Sequence, residues 1–264
     1  MAAFDTIGEW AEAIPLATAF LLCGSIVSKV PYDKVGEVRT KNRRLGLGLM
    51  GLAEWLAVRG YRYEPNEALA EWLKAYSKSG EYAEYYADLL GVSYPVKTRA
   101  VAPAGTISII AETTSGLEPI YTVAYKRRYQ SDNQWKYQYV IDESAQRLID
   151  KGVDPDSIET SMDLARDPER RIQMQAFIQG YVDHGISSTL NLPAYAEQSF
   201  SEREFGAMLL EYLPLLRGMT VYPDGARGGQ PITPVPYREA VGQTGVEHTE
   251  FSNEQSCNNG SCGI

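Results

Sequence analysis

Two histidines and three cysteines are all that this chain of 264 residues offers for acid–base, thiol or metal chemistry near neutral pH. No Ser/His/Asp arrangement and no H-E-x-x-H motif can be built from His184 and His248. His184 precedes Gly185 at a helix-to-strand junction and reads as a capping or packing residue. A structural zinc takes four ligands, and near the C-terminus only Cys257, Cys262 and His248 are available, so no metal site is expected. Long apolar runs are missing too. The longest candidate, 14–27, falls short of the roughly 20 residues that span a bilayer, and no basic stretch precedes it as in a signal peptide. Few cysteines and no signal sequence suit a reducing, cytoplasmic setting without a membrane partner. Positive charge is also short, with 25 basic against 34 acidic residues and a net charge of −9. That argues against a nucleic-acid partner, because such affinity rests largely on neutralising phosphates.

What is present suits a globular protein: 44% hydrophobic and 22% charged residues, enough for one large domain or two small ones. The 18 tyrosines are scattered through helical segments, as packing residues would be. Cys23, within A-F-L-L-C-G-S-I-V, reads as a small buried hydrophobe.

Residues 1–30 carry Trp10, Ile14, Leu16, Phe20, Leu21 and Leu22 at mostly helical spacing. Leu45, Leu49, Leu52 and Leu56 recur at i, i+4, i+7 and i+11, which predicts one buried helix face over 42–59. Within it, residues 46–51 match G-x-G-x-x-G, but the preceding E-V-R-T-K-N-R-R shows no buried-strand pattern. Close helix packing explains those glycines better than a dinucleotide turn. Residues 66–90 predict one or two helices with a break near Ser79-Gly80, and 126–139 form a polar, aromatic stretch with a basic patch of Arg127, Arg128 and Lys136. Helices are expected over 141–151, 168–185 and 202–213, and strands over 186–192 and 218–222. The alternation makes this an α/β chain in which helices dominate. From 240 onward, Gly, Asn, Ser and Thr predict a flexible tail.

The segment 99–119, R-A-V-A-P-A-G-T-I-S-I-I-A-E-T-T-S-G-L-E-P, is the most informative. A β-like entry meets Pro103, and Ala104, Gly105, Thr106, Ile107 and Ser108 then offer small side chains and backbone N–H groups. A helix opening there presents unpaired donors and a positive dipole end, which suits an anion such as phosphate. An ordinary strand–turn–helix with Ser/Thr capping accounts for the same residues. In the tail, Cys257 and Cys262 lie in S-C-N-N-G-S-C-G-I, where nothing would bury them. Two thiols so placed can form and exchange a disulfide, and two incidental cysteines are the plainer alternative.

Four segments together resemble ribonucleotide reductase catalytic chains: N-R-R-L-G-L-G-L-M-G (42–51), A-P-A-G-T-I-S-I-I-A-E-T-T-S-G-L-E-P (102–119), I-S-S-T-L-N-L-P (186–193) and M-T-V-Y-P-D-G-A-R-G-G-Q-P (219–231). They follow that family in order and at similar separations. The resemblance implies the C-terminal half of a ten-stranded α/β barrel over 1–239, helix-rich, followed by a redox-shuttle tail over 240–264. It implies that Ala104, Gly105, Thr106, Ile107 and Ser108 bind the substrate's phosphates, and that Cys257 and Cys262 re-reduce the active site and are themselves reduced by thioredoxin or glutaredoxin. The substrate would be a nucleoside diphosphate or triphosphate.

The adenosylcobalamin-dependent class is the more similar one. In the small-subunit-dependent class two adjacent tyrosines relay the radical, and here the matching positions are Val221 and Tyr222. The family's thiyl loop, Asn-x-Cys-x-Glu, has no counterpart: two residues beyond Cys23, Cys257 and Cys262 stand Ser25, Asn259 and Ile264. With Met1 at the start, the expectation is a split enzyme whose N-terminal half, on a partner chain, carries the thiyl radical and shares the adenosylcobalamin. The alternatives are a fragment of a small-subunit-dependent large chain and a non-catalytic phosphate-binding barrel fragment.

Overall fold

Thr6 and Glu9 decide where the first helix starts. The Glu9 N–H donates to Thr6 Oγ1 and the Thr6 N–H to Glu9 Oε2, a reciprocal cap that sets α1 at Ile7–Val27. The computed structural model describes residues 1–224 and 231–249. After α1 come α2 (Asp33–Asn42), α3 (Leu52–Val58), α4 (Glu67–Ser77), α5 (Ser79–Leu90) and α6 (Gly105–Ile110). The hairpin β1 (Ala124–Ser131) and β2 (Gln134–Ile141) leads to α7 (Glu143–Asp150), α8 (Ser161–Leu164) and α9 (Pro168–Gln179). The chain continues with β3 (Thr189–Leu192), α10 (Glu202–Tyr212), β4 (Thr220–Pro223), β5 (Ile232–Val235), α11 (Tyr237–Ala240) and β6 (Glu247–Thr249).

At 21 residues α1 is long and apolar enough, by length and composition, to cross a membrane, which corrects the shorter run expected from 14–27. Its row Trp10, Ile14, Thr18, Leu22 is buried along α4 and α5, and Trp10 Nε1 donates to the Trp72 carbonyl at 2.9 Å. Leu16, Phe20 and Val27 are exposed. Cys23 is exposed as well, against expectation: it follows Leu22 by one residue and so sits about 100° off the buried row. Trp10, Trp55 and Trp72 meet in the main core, with the last two edge to face at 5.2 Å.

The leucine periodicity proves ambiguous. Leu45 and Leu49 are buried, but on an extended segment, because i and i+4 also share a face at period two. The helix begins only at Leu52, after Gly51 at φ +76°. The glycines of 46–51 therefore precede a helix rather than lie inside one. Packing still explains them: a Cβ on Gly51 would stand 2.6 Å from Thr113 Oγ1, and one on Gly48 3.1 Å from the Ala100 carbonyl.

Four extended segments lie side by side, all parallel. Leu47 bridges Arg99, Val101 bridges Ile186, and β3 pairs with β4 from Thr189↔Thr220 to Leu192↔Pro223. Backbone bonds such as Ala100 N–H to Leu47 O (3.1 Å), Ser187 N–H to Val101 O (2.8 Å) and Thr220 N–H to Ser188 O (3.2 Å) tie the layer. The expected helix-rich α/β class is thus observed, while no closed barrel forms among the described residues.

The polar 126–139 stretch is an antiparallel hairpin turning at Asp132 and Asn133, both at positive φ, within a sheet of order β5-β1-β2-β6. Of the residues assigned to a tail, 247–249 form β6, which pairs Tyr137 with His248. Cys257 and Cys262 lie outside the described residues.

Candidate functional site

The segment 98–102 runs out of the parallel layer, passes Pro103, and turns into α6. The helix has six residues, no side-chain cap at Ala104 and no acidic residue in its first turn. Gly105, Thr106 and Ile107 are exposed, and their N–H groups, in the first turn, have no partner within the helix. Ser108 differs from its neighbours: it is buried, its N–H donates to Ala104 O at 2.7 Å, and its Oγ donates to Gly105 O at 3.0 Å. Of the five residues singled out in 104–108, three offer free donors. Ser108 ties the turn together, and the Ala104 N–H is spent on Ser115 Oγ at 2.8 Å.

The stretch after α6 holds it in place. The Thr113 N–H donates to Ser108 O at 2.9 Å, and Thr114 O accepts the Gly51 N–H at 3.0 Å. The Thr114 N–H donates to Glu54 Oε1 at 2.9 Å, and its hydroxyl donates to Glu54 Oε2. Gly116 sits at φ +54°, where a Cβ would come within 3.2 Å of the Ala102 carbonyl. Further on, Glu118 Oε1 accepts the Thr189 N–H at 2.8 Å while Oε2 pairs with Arg171 at 3.0 Å. Arg171 is 3% exposed, also donates to Ser188 Oγ, and lies over the Tyr63 ring. Burial pushes the Tyr63 phenol up to about 12, and its hydroxyl donates to Leu117 O. The carboxylate of Glu118 thus joins the T-T-S-G-L-E-P turn to β3 and α9.

The other side of the layer is locked by Asp183. Its carboxylate accepts the N–H groups of Thr98 and Arg99 and pairs with the Arg99 guanidinium at 3.2 Å. Burial alone would raise this carboxyl, and the N–H donors of Arg99 and Thr98 together with the Arg99 charge hold it below the ordinary value. The backbone N–H of His184 donates to Arg99 O, and burial lowers its imidazole pKa.

Two open clefts flank α6 and the turn after it. One, of about 540 Å³, lies between 108–120 and the hairpin and is lined by Thr113, Ser115, Glu118, Tyr125, Arg127 and Asp142. Burial raises the Asp142 carboxyl even though the Ala145 and Ser144 N–H groups bond to it. The other, of about 420 Å³, is lined by Met50, Glu54, Thr113, Arg147 and Lys151 among others. Val221 and Tyr222 follow each other on β4, opposite Leu190 and Asn191, and Val221 packs with Leu190 and Leu192. No group of three or more His, Cys, Asp or Glu placed to hold a metal occurs among the described residues.

Sequence reasoning missed Glu54, Glu118, Arg171 and Asp183. A signal existed for Glu54: it is the one charged residue in M-G-L-A-E-W-L-A-V, on the buried side of its helix.

Residues 2–84 and 94–211 match the family model described as ribonucleotide reductase, barrel domain. The vitamin B12-dependent ribonucleoside-diphosphate reductase of Mycobacterium tuberculosis (strain CDC 1551 / Oshkosh) is 30% identical over 283 residues, covering 93% of this chain and 40% of the relative. The protein of the same description from Thermoplasma acidophilum is 26% identical, over 84% of this chain and 34% of its own length. The putative adenosylcobalamin-dependent ribonucleoside-triphosphate reductase of Mycobacterium phage D29 is 25% identical, over 94% and 40%. Among solved structures, a B12-dependent (class II) ribonucleotide reductase superposes with a TM-score of 0.70 at 17% identity, covering 88% of this chain and 37% of that one. The Actinobacillus ureae class Id alpha subunit gives 0.60 at 18% identity, covering 81% and 46%. The chain spans about 40% of the length of the first of these relatives. By the family match across both of its long segments, this chain belongs to the ribonucleotide reductase family and carries barrel-domain sequence.

Proposed function

We propose that this chain is the C-terminal part of a B12-dependent ribonucleotide reductase, an oxidoreductase that converts ribonucleotides to deoxyribonucleotides. The observation that carries the reading is the exposed first turn of α6, where Gly105, Thr106 and Ile107 present three free N–H donors beside a small hydroxyl. A di- or triphosphate fits there, with the Thr106 hydroxyl adding a donor and Ser108 holding the turn. The parallel layer supplies four of the five strands that half of a ten-stranded barrel would need; in this reading the other half, with the thiyl loop, comes from an N-terminal partner chain or from sequence outside these residues.

The family's reaction replaces the 2′-hydroxyl by hydrogen. Two thiols supply two electrons and two protons, leave as a disulfide, and water departs. In this reading Cys257 and Cys262 return the site to its dithiol form by exchange, and a thioredoxin or glutaredoxin then reduces the tail. Adenosylcobalamin is named in the relatives and would supply the radical. Both clefts are open to solvent, so the described residues alone do not enclose such a cofactor, and it would be shared with the N-terminal half. Val221 beside Tyr222 cannot pass a hydrogen atom from a small subunit, which favours a radical made within the site.

The test is Thr106→Leu in the complete reductase, assembled with its N-terminal half. Turnover of ribonucleotide, dependent on adenosylcobalamin in the parent, is expected to fall with a raised nucleotide KM. An unchanged KM removes the phosphate assignment, and turnover that ignores cobalamin but requires a metal-radical subunit removes the class.

A further inference from the structure

Removing Glu54 from this fold would leave Thr114 held only by the Gly51 N–H on its carbonyl, and Thr114 lies between the two ties that shape α6. A helix of six residues is too short to be stable by itself. Its N-terminal side is fixed by Ala104 N–H to Ser115 Oγ, and its C-terminal side by Thr113 N–H to Ser108 O. Thr114, between those two anchors, is held three times: by the Gly51 N–H on its carbonyl, and by both oxygens of Glu54 on its N–H and hydroxyl. A carboxylate that grips two donors of one residue fixes the orientation of that peptide as well as its position. The base of the grip is rigid, because Leu52, Trp55 and Leu56 of α3 are buried around it. Glu54 itself is 6% exposed and none of the described ion pairs includes it. Both hydrogen bonds to Glu54 come from neutral donors, with the Met1 ammonium acting on it only through space, and burying a carboxylate this way is intelligible where a particular backbone geometry is the gain. Gly51 completes the arrangement, since any Cβ there would drive Thr113 away.

We propose that Glu54 is a positioning residue for phosphate binding: through Thr114 it sets the direction of the Gly105, Thr106 and Ile107 N–H groups. The inference rests on the phosphate reading of α6. In this reading Glu54 acts through Thr114, with both of its oxygens engaged by that residue.

The chemistry of the grip separates substitutions that resemble one another. Glu54→Gln can keep both bonds, its carbonyl accepting from the Thr114 N–H and its amide donating to the Thr114 hydroxyl, which rotates to accept. Glu54→Met keeps the bulk and loses both. Thr114→Val loses only the hydroxyl, and Thr114→Ser retains it.

The complete reductase is titrated with inorganic pyrophosphate, and KM and kcat are measured for the ribonucleotide. Glu54→Met is expected to weaken pyrophosphate binding about tenfold or more and to raise KM further than it lowers kcat. Glu54→Gln and Thr114→Ser stay near the parent, and Thr114→Val falls between. Parent-like pyrophosphate binding by a folded Glu54→Met protein, alongside weakened binding by Thr106→Leu, overturns the role of Glu54 and leaves the phosphate site standing. Parent-like binding by both variants overturns the site and the inference together. If Glu54→Met does not fold, Thr114→Val decides, and unchanged binding there refutes the proposal.

Discussion

Truncating Glu118 to alanine should expose how the T-T-S-G-L-E-P turn is fastened. Arg171 is 3% exposed and its guanidinium meets Glu118 at 3.0 Å and the Ser188 hydroxyl. Removing the carboxylate leaves a buried cation without its counter-charge, a loss of about 3–5 kcal/mol, and strips the Thr189 N–H of its acceptor at about 1 kcal/mol. Glu118 is 27% exposed, so water can partly replace it, which sets the expectation at the low end, about 3 kcal/mol. For a chain of this size about 2 °C of Tm accompanies each kcal/mol, giving a fall of about 6 °C in a thermal unfolding scan. The double variant Glu118→Gln with Arg171→Met removes the charge along with its partner and should recover most of that fall. The reasoning is refuted if Glu118→Ala shifts Tm by less than about 2 °C, or if the double variant is as unstable as the single.

Two further outcomes follow from the same layer. Gly51→Ala places a methyl 2.6 Å from Thr113 Oγ1 at a φ of +76°, and should lower the urea midpoint by an amount worth about 2 kcal/mol or more; an unchanged midpoint would mean the turn can relax. Asp183 has a folded-state pKa held below its unfolded value, so its contribution is complete above the ordinary carboxylate range and is lost as pH falls through the folded value. Stability measured from about pH 5 down to about pH 3 should therefore drop more steeply in the parent than in Asp183→Asn, and parallel acid limbs would count against the Asp183–Arg99 lock.

Elements with local signals were legible in the sequence. The helices expected over 66–90 and 202–213 are α4 with α5 and α10, and the strand expected over 186–192 contains β3. Where two periods coincide, spacing could not choose: Leu45 and Leu49 serve a strand as well as a helix. The hairpin hid because Asp132-Asn133 is a turn pair without glycine and its strands are polar on both sides. The loop 104–108 was visible from its small residues, but its fastening was not. Glu54 and Thr114 are 60 positions apart, Glu118 and Arg171 53, and no local rule pairs residues at such distances. Cys23 erred for a simpler reason, since an apolar neighbourhood in sequence does not say which side of the helix a residue occupies.

The physical character of α6 explains why its fastening must be polar. Of its six residues only Ser108 is buried, while Ile107, Ile109 and Ile110 are 63%, 72% and 79% exposed. Hydrophobic burial within the described residues therefore contributes almost nothing to holding this helix, since that force scales with apolar area removed from water. One and a half turns cannot repay helix nucleation by their own hydrogen bonds either. What remains are directional contacts: Ala104 to Ser115, Thr113 to Ser108, and Thr114 to Glu54 and Gly51. Apolar packing tolerates small slips, whereas a hydrogen bond weakens steeply once its angle closes. A turn held this way keeps its three free N–H groups aimed in one direction, and it is correspondingly sensitive to single-atom changes at residues that no ligand would touch.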